Sequence, residues 1–206
     1  MKDYRPYFKK AIKKHFPQQG DEINSSIEKA YALIGGDIAF AFTSKNPMDR
    51  RMDVAGYFLS LIKVLDEKGE SFETIRRICI EIATEYVQPK NKFQAWLKKL
   101  PVKLIGSGLT GPLLRSFDKK VGKLGHPDGF AAKIIMDKSE TFGLGYGVDI
   151  LECGICKLYQ KHNYKRFASI LCEVDHITTS LAGLEMHRSG TIANGASHCD
   201  FRYRKV

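Results

Sequence analysis

The sequence predicts an α+β protein: a helical N-terminal half packed with a C-terminal, mostly antiparallel sheet plus two helices in the order β-β-α-α-β-β. Three observations lead there. As far as residue 124, apolar residues recur at helical spacing between lysines and acids. From Gly125 the texture changes to short alternating runs separated by glycines. With 206 residues the chain can bury a core without staples, so regions 1–124 and 125–206 are expected to form one compact unit.

Residues 4 to 16 place Tyr4, Phe8, Ile12 and Phe16 on one face, and Pro17 closes that helix. Ile23, Ile27, Ala30 and Ile34 continue the pattern up to Gly35-Gly36. A third helix follows Pro47, with Val54, Phe58, Leu61 and Leu65 on one side, and stops near Gly69. Ser71 has the chemistry of an N-cap for a fourth, whose stripe Ile75, Cys79, Ile82 and Tyr86 makes Cys79 a small core residue. Residues 91 to 124, interrupted by Pro101 and several glycines, suggest a short helix with Trp96, a glycine-rich turn and another helix. That turn, Gly106 to Gly111, spells G-x-G-x-x-G. No strand-helix-strand alternation surrounds it and Pro112 follows it, so no dinucleotide is expected there.

Phe130 to Met136 and Leu144 to Leu151 read as two antiparallel strands. A helix from Gly154 carries Cys156, Leu158 and Tyr159. A longer one runs from Tyr164 to about Leu181, and Gly183 ends it. Met186 to Ala193 and His198 to Arg204 read as two more strands, with Asn194-Gly195 as the turn.

Lys+Arg 33 against Asp+Glu 23 gives +10, which favours anionic partners. No run of five basic residues and no helix-turn-helix, finger or RNA-binding signature accompanies that charge, so a small anionic molecule is expected rather than nucleic acid. No stretch approaches the ~18 apolar residues needed to cross a bilayer. A cytoplasmic protein with no integral membrane contact follows, and a homo-oligomer is compatible with the sequence. In that compartment thiols stay reduced, so five cysteines point to thiol chemistry, metal binding or core packing.

Four of the five lie in the last third. Cys153, Cys172 and Cys199 each stand beside a carboxylate: Glu152, Glu173 and Asp200. On the second C-terminal helix Phe167, Ile170, Val174, Ile177, Leu181 and Leu184 fall in one apolar arc. Cys172, Asp175, His176 and Thr179 fall opposite, and such short groups suit a pocket wall better than a solvated face. Cys153-Gly154-Ile155-Cys156 can be a dithiol, or two of four zinc thiolates with Cys172 and Cys199. It can also put a catalytic thiol, Cys153, at a helix mouth while Cys156 packs as a hydrophobe. In the last strand Cys199, Phe201 and Tyr203 alternate with Asp200, Arg202 and Arg204. Arginine is the better carboxylate clamp because its planar donors engage both oxygens.

The ordered series Glu152-Cys153-Gly154-Ile155-Cys156-Lys157, Cys172-Glu173-Val174-Asp175, Arg188-Ser189-Gly190-Thr191-Ile192-Ala193-Asn194-Gly195 and Cys199-Asp200-Phe201-Arg202-Tyr203 resembles the L-2-amino-thiazoline-4-carboxylic acid hydrolase family over roughly residues 125 to 206. The resemblance implies hydrolytic opening of a thiazoline ring that carries a carboxylate, giving a carbamoyl-cysteine. For that reaction the residue types suggest Cys153 or Cys172 as nucleophile, Asp175 or Glu152 as acid and base, and Arg202 with Arg188 as the carboxylate clamp. His176, Thr179, Cys199 and Asp200 complete the substrate side. No cofactor is required, although the cysteines could hold a metal ion. The rival reading is a small-molecule or metal-binding sensor domain without catalysis.

Overall fold

The computed structural model describes residues 3–105 and 110–206. Its helical half runs α1 (Arg5–His15), α2 (Gly20–Ile38), α3 (Arg51–Glu67), α4 (Phe72–Val87), α5 (Lys92–Ile105) and α6 (Gly111–Val121). The second half follows as β1 (Ala131–Ile135), β2 (Gly147–Glu152), α7 (Gly154–Lys161), α8 (Ala168–Leu181), β3 (Leu184–His187) and β4 (Cys199–Lys205). The α+β class and the β-β-α-α-β-β order are those the sequence predicts.

Helix α3 is the axis of the molecule. It is buried along nearly its whole length and touches α2, α4 and α7. Phe8 and Tyr57 meet edge to face with ring centroids 4.7 Å apart, a geometry that adds to their area burial. Gly56 lets α2 approach closely, since a Cβ there would stand 2.9 Å from Ile38 Cδ1. This packing also explains why α2 runs straight through Gly35-Gly36. Two glycines cost about 1 kcal/mol each in a helix, and the buried Ile34 and Ile38 on either side offset that. Ser71 caps α4 by accepting from the Thr74 amide at 3.2 Å. Pro101 lies inside α5 instead of ending it. The carbonyl it leaves unpaired, one turn back, belongs to the exposed Leu97, where water can serve it.

The four strands form one antiparallel sheet in the order β1-β2-β4-β3. The register pairs Val148 with Phe201 and Ile150 with Cys199 on the face that meets the helices, and Asp149 with Asp200 and Gly147 with Arg202 on the other. The third strand corrects the expectation: it begins at Leu184 and ends at His187, so residues 188–198 form a loop. The cause is local. Asp200 accepts from the amides of Ser189 and Gly190 at 3.0 and 2.9 Å, which takes that backbone out of strand pairing. Thr191 then caps a short 3-10 turn, Ile192–Asn194, that ends at Gly195 with φ +92. Of the G-x-G-x-x-G stretch, residues 106–109 lie outside the described residues; Ile105, just before it, closes a helix rather than a strand. A single apolar cluster extends from Phe8 and Tyr57 through Ile134 and Val148 to Cys199, joining the two halves. No helix among the described residues is long and apolar enough to cross a membrane.

Candidate active site

Helix α8 lies between α4 and the sheet, and its two sides have separate duties. Glu173 turns towards α4, where Arg76 Nε donates to it at 2.8 Å. Asp175 and Thr179 turn towards the sheet and line a cavity of about 150 Å³. The sheet contributes Tyr146, Val148, Ile150, Phe201 and Tyr203, while Met48, Arg51 and Phe117 close the cavity from the helical half. Of the four residues expected to form a pocket wall on this helix, Asp175 and Thr179 line the cavity and Cys172 and His176 do not. Thr179 is buried and its hydroxyl is 4.0 Å from Met186 Sδ, whereas His176 is exposed.

Asp175 is the acid of this cavity. Burial pushes its carboxyl above the ordinary range, against the opposing pull of Arg51, Arg188 and His176. Arg188 Nη1 reaches Asp175 at 3.4 Å and Nη2 reaches the Cys172 carbonyl at 3.3 Å. Its guanidinium lies over the Phe201 ring, 5.1 Å from the centroid, and its side chain is only 10% exposed. Tyr146 and Tyr203 stack at 5.6 Å. Burial raises both phenols, so they stay protonated donors.

Cys153 occupies the junction of β2 and α7, three residues beyond Ile150. The Cys156 thiol donates to its sulfur, and this lowers the Cys153 pKa in spite of burial. The amides of Ile155 and Cys156 also face the sulfur without closing a capping bond, so they act as the positive end of the helix. Cys156 moves the opposite way: that same hydrogen bond holds its proton, and burial adds to the effect. Burial pushes Cys172 up to about 12. Its thiol lies 3.9 Å from the Ala168 carbonyl within its own helix. Cys199 is 5% exposed and raised by burial, although the Ile192 amide donates to its sulfur at 3.2 Å. Cys156, Cys172 and Cys199 each feel the charge of Cys153. All are free thiols, and of the four only Cys153 is shifted towards thiolate. Cys79 stands apart, fully buried in α4 and raised by that burial, as a core residue should be. Among the described residues no three His, Cys, Asp or Glu side chains are grouped so that they could hold a metal ion.

Cys153, Arg188 and Cys199 are not among the residues that line the cavity, and Arg202, Asp200 and Glu152 lie away from it. Arg202 is on the far face of the sheet, where Nη1 donates to Asp149 at 2.7 Å, because the alternation that turns Phe201 inwards turns Arg202 outwards. Asp200 shares that face and organises the Ser189-Gly190 loop. Glu152 is at the exposed end of β2, paired with Lys157 at 2.8 Å. Conversely, the motifs gave no site role to Arg51, Tyr146 or Tyr203. Arg51 did leave a trace in the sequence: Arg50-Arg51 falls at the start of a predicted helix, where the backbone dipole disfavours cations.

The α+β scaffold carries a thiol with a lowered pKa and a half-buried carboxyl beside Arg188, residue types that hydrolases use. Residues 114–203 match the family model described as L-2-amino-thiazoline-4-carboxylic acid hydrolase, which supports over that segment the resemblance read from the motifs. The family's name is that of a hydrolase. No curated protein and no solved structure matches the chain.

Proposed function

We propose that this chain hydrolyses a small carboxylate-bearing heterocycle of the 2-amino-thiazoline-4-carboxylate kind. The observation that carries the reading is the opposed pair of shifts within one cluster: Cys153 towards thiolate, Asp175 towards the protonated acid. Each shift runs in the direction that its role, nucleophile or acid, requires. The cavity of about 150 Å³ is below the ~300–1000 Å³ of drug-sized pockets, which suits a single compact ring.

In this mechanism the Cys153 thiolate adds to the ring carbon bonded to sulfur and both nitrogens. The ring C–S bond breaks, and Asp175 protonates the departing sulfur. Asp175, now ionised, takes a proton from water as that water adds to the same carbon. Cys153 then leaves as thiolate, and the net change is uptake of one water to give a carbamoyl-cysteine. Arg188, with Arg51 at the cavity mouth, holds the substrate carboxylate. Tyr146 and Tyr203 supply further donors.

The test is ring opening of 2-amino-thiazoline-4-carboxylate, followed by appearance of the free thiol. Wild type should turn over and Cys153→Ala should not, while Cys172→Ala and Cys199→Ala retain turnover because their sulfurs stay protonated. Full activity in Cys153→Ala would remove the thiol mechanism. Saturable binding with no turnover by wild type would favour the sensor reading.

A further inference from the structure

A second, larger cavity is separate from the thiol site. It is a cleft of about 1000 Å³ between residues 40–50 and the end of α6 with the segment that follows, and its walls carry Lys45, Arg50, Lys119, Lys120, Lys123 and His126. No carboxylate lines it. Some lysines elsewhere on the surface pair with acids: Lys10 with Glu85 at 2.9 Å, Lys14 with Glu81 at 2.8 Å and Lys161 with Asp37 at 2.8 Å. Among the described residues the four cleft lysines and Arg50 have no ion pair. Five like charges facing one cleft repel one another, and an anion between them relieves that repulsion.

The walls are held firmly. The buried Asn46 donates through Nδ2 to the carbonyls of Lys123 and Phe130, at 3.2 and 2.7 Å, which ties one wall to the other. Asp49 has no exposure, and its carboxylate is occupied by the Ser44 hydroxyl and the Phe130 amide, so this acid props the cleft without neutralising it. A Cβ at Gly125 would stand 2.4 Å from Ser44 Oγ, so only glycine permits the closeness of the two walls there. His126 Nδ1 accepts from the Asp128 amide at 3.1 Å, which leaves Nε2 to carry the ring proton as a donor.

We infer that this cleft binds a small molecule carrying two or more clustered phosphate groups. The number of unpaired cations exceeds what one phosphate needs. Single-stranded nucleic acid is the weaker fit, because such channels offer successive aromatic platforms, and the one aromatic wall here, Phe40, is already stacked on His126 at 4.0 Å. The cleft lies on the other side of the Met48 to Arg51 segment from the thiol site, so its occupancy does not depend on the reaction proposed there.

Calorimetric titration of the full chain with inorganic pyrophosphate tests this, with orthophosphate, ADP and a single-stranded oligothymidylate as comparison probes. Pyrophosphate should bind, and at least about tenfold more tightly than orthophosphate, because it engages the cations with two groups at once. The variant Lys119→Gln/Lys120→Gln/Lys123→Gln should lose at least about tenfold in pyrophosphate affinity. The equally charged control Lys29→Gln/Lys68→Gln/Lys90→Gln, none of which lines the cleft, should change it by less than about twofold, since distant charges are screened. ADP binding like pyrophosphate indicates that the diphosphate alone is read, and tighter ADP binding indicates that a nucleotide carries it; both support the site. No pyrophosphate binding, equal loss in the two triple variants, no preference over orthophosphate, or oligothymidylate binding more tightly than pyrophosphate would each overturn it. Unchanged unfolding midpoints in both variants confirm that the fold is intact, and turnover of the thiazoline ring is not the readout.

Discussion

Two Asp–Arg pairs flank opposite faces of the same sheet, and they differ in what surrounds them. On the outer face Arg202 and Asp149 meet at 2.7 Å and satisfy each other, and Asp200 is saturated by a hydroxyl and two amides. On the inner face Arg188 stands 3.4 Å from an Asp175 whose carboxyl is raised, beside a cavity. The outer set is closed and holds the β4 register and the preceding loop. The inner set keeps unspent hydrogen-bonding capacity where a ligand can reach it. Residue type alone does not separate a clamp from a brace; the decision lies in whether each group's partners are already filled.

The largest effect expected from this contrast is at the acids. Asp175→Asn should lower kcat for the thiazoline ring by about 10²–10⁴, the usual weight of a general acid and base. Asp149→Asn should leave kcat near wild type and instead cost about 1–3 kcal/mol of stability in urea unfolding, because Arg202 loses its partner. If the two swap behaviour, the outer face is the functional one.

The arginines come next. Arg188→Ala should weaken substrate binding by about 1.5–3 kcal/mol, the range for hydrogen bonds to charged groups, and appear as raised KM. Arg202→Ala should leave KM unchanged and lower the unfolding midpoint.

The pH dependence of stability sharpens the comparison with opposite signs. Asp175 has a raised native pKa, so its contribution is complete below the unfolded carboxyl value of ~3.9 and is lost as pH rises through the native one. Asp175→Asn, which mimics the neutral acid, should therefore gain stability relative to wild type between pH 4 and pH 8. Asp200 goes the other way. Burial would raise its carboxyl, but hydrogen bonds from the Ser189 hydroxyl and the amides of Gly190 and Ser189 together outweigh it and bring the pKa to about 2. Its contribution is present above ~3.9 and lost as pH falls towards 2, so Asp200→Asn should be costly at neutral pH and harmless in strong acid. Urea titrations of wild type and both variants across this range check both signs.

The smallest effect belongs to Arg51. It is exposed at the cavity mouth, so Arg51→Gln should raise KM by no more than about 1 kcal/mol, as for other solvent-screened charges. A larger change would place it deeper in recognition than Arg188.

Periodicity and punctuation sufficed to define the α+β class, the cap at Ser71 and the core placement of Cys79, because each depends on neighbours within a few residues. The same local reasoning placed Arg202 opposite Phe201 in the strand, yet the cavity is on the Phe201 side, and strand alternation carries no label for which face meets the helices. The third strand was read too far because Asp200, ten residues from Gly190, diverts that backbone into a loop. Arg51 is contributed by the helical half, and its place opposite Asp175 depends on how α3 docks against the sheet. The lowered pKa of Cys153 follows first from the Cys156 thiol and then from the amides at the mouth of α7, a pairing that the C-x-x-C spacing already signals. The raised pKa of Asp175 is the work of burial, and burial is a property of the packed whole: only when α8 closes over the sheet is the carboxyl drawn partly out of water.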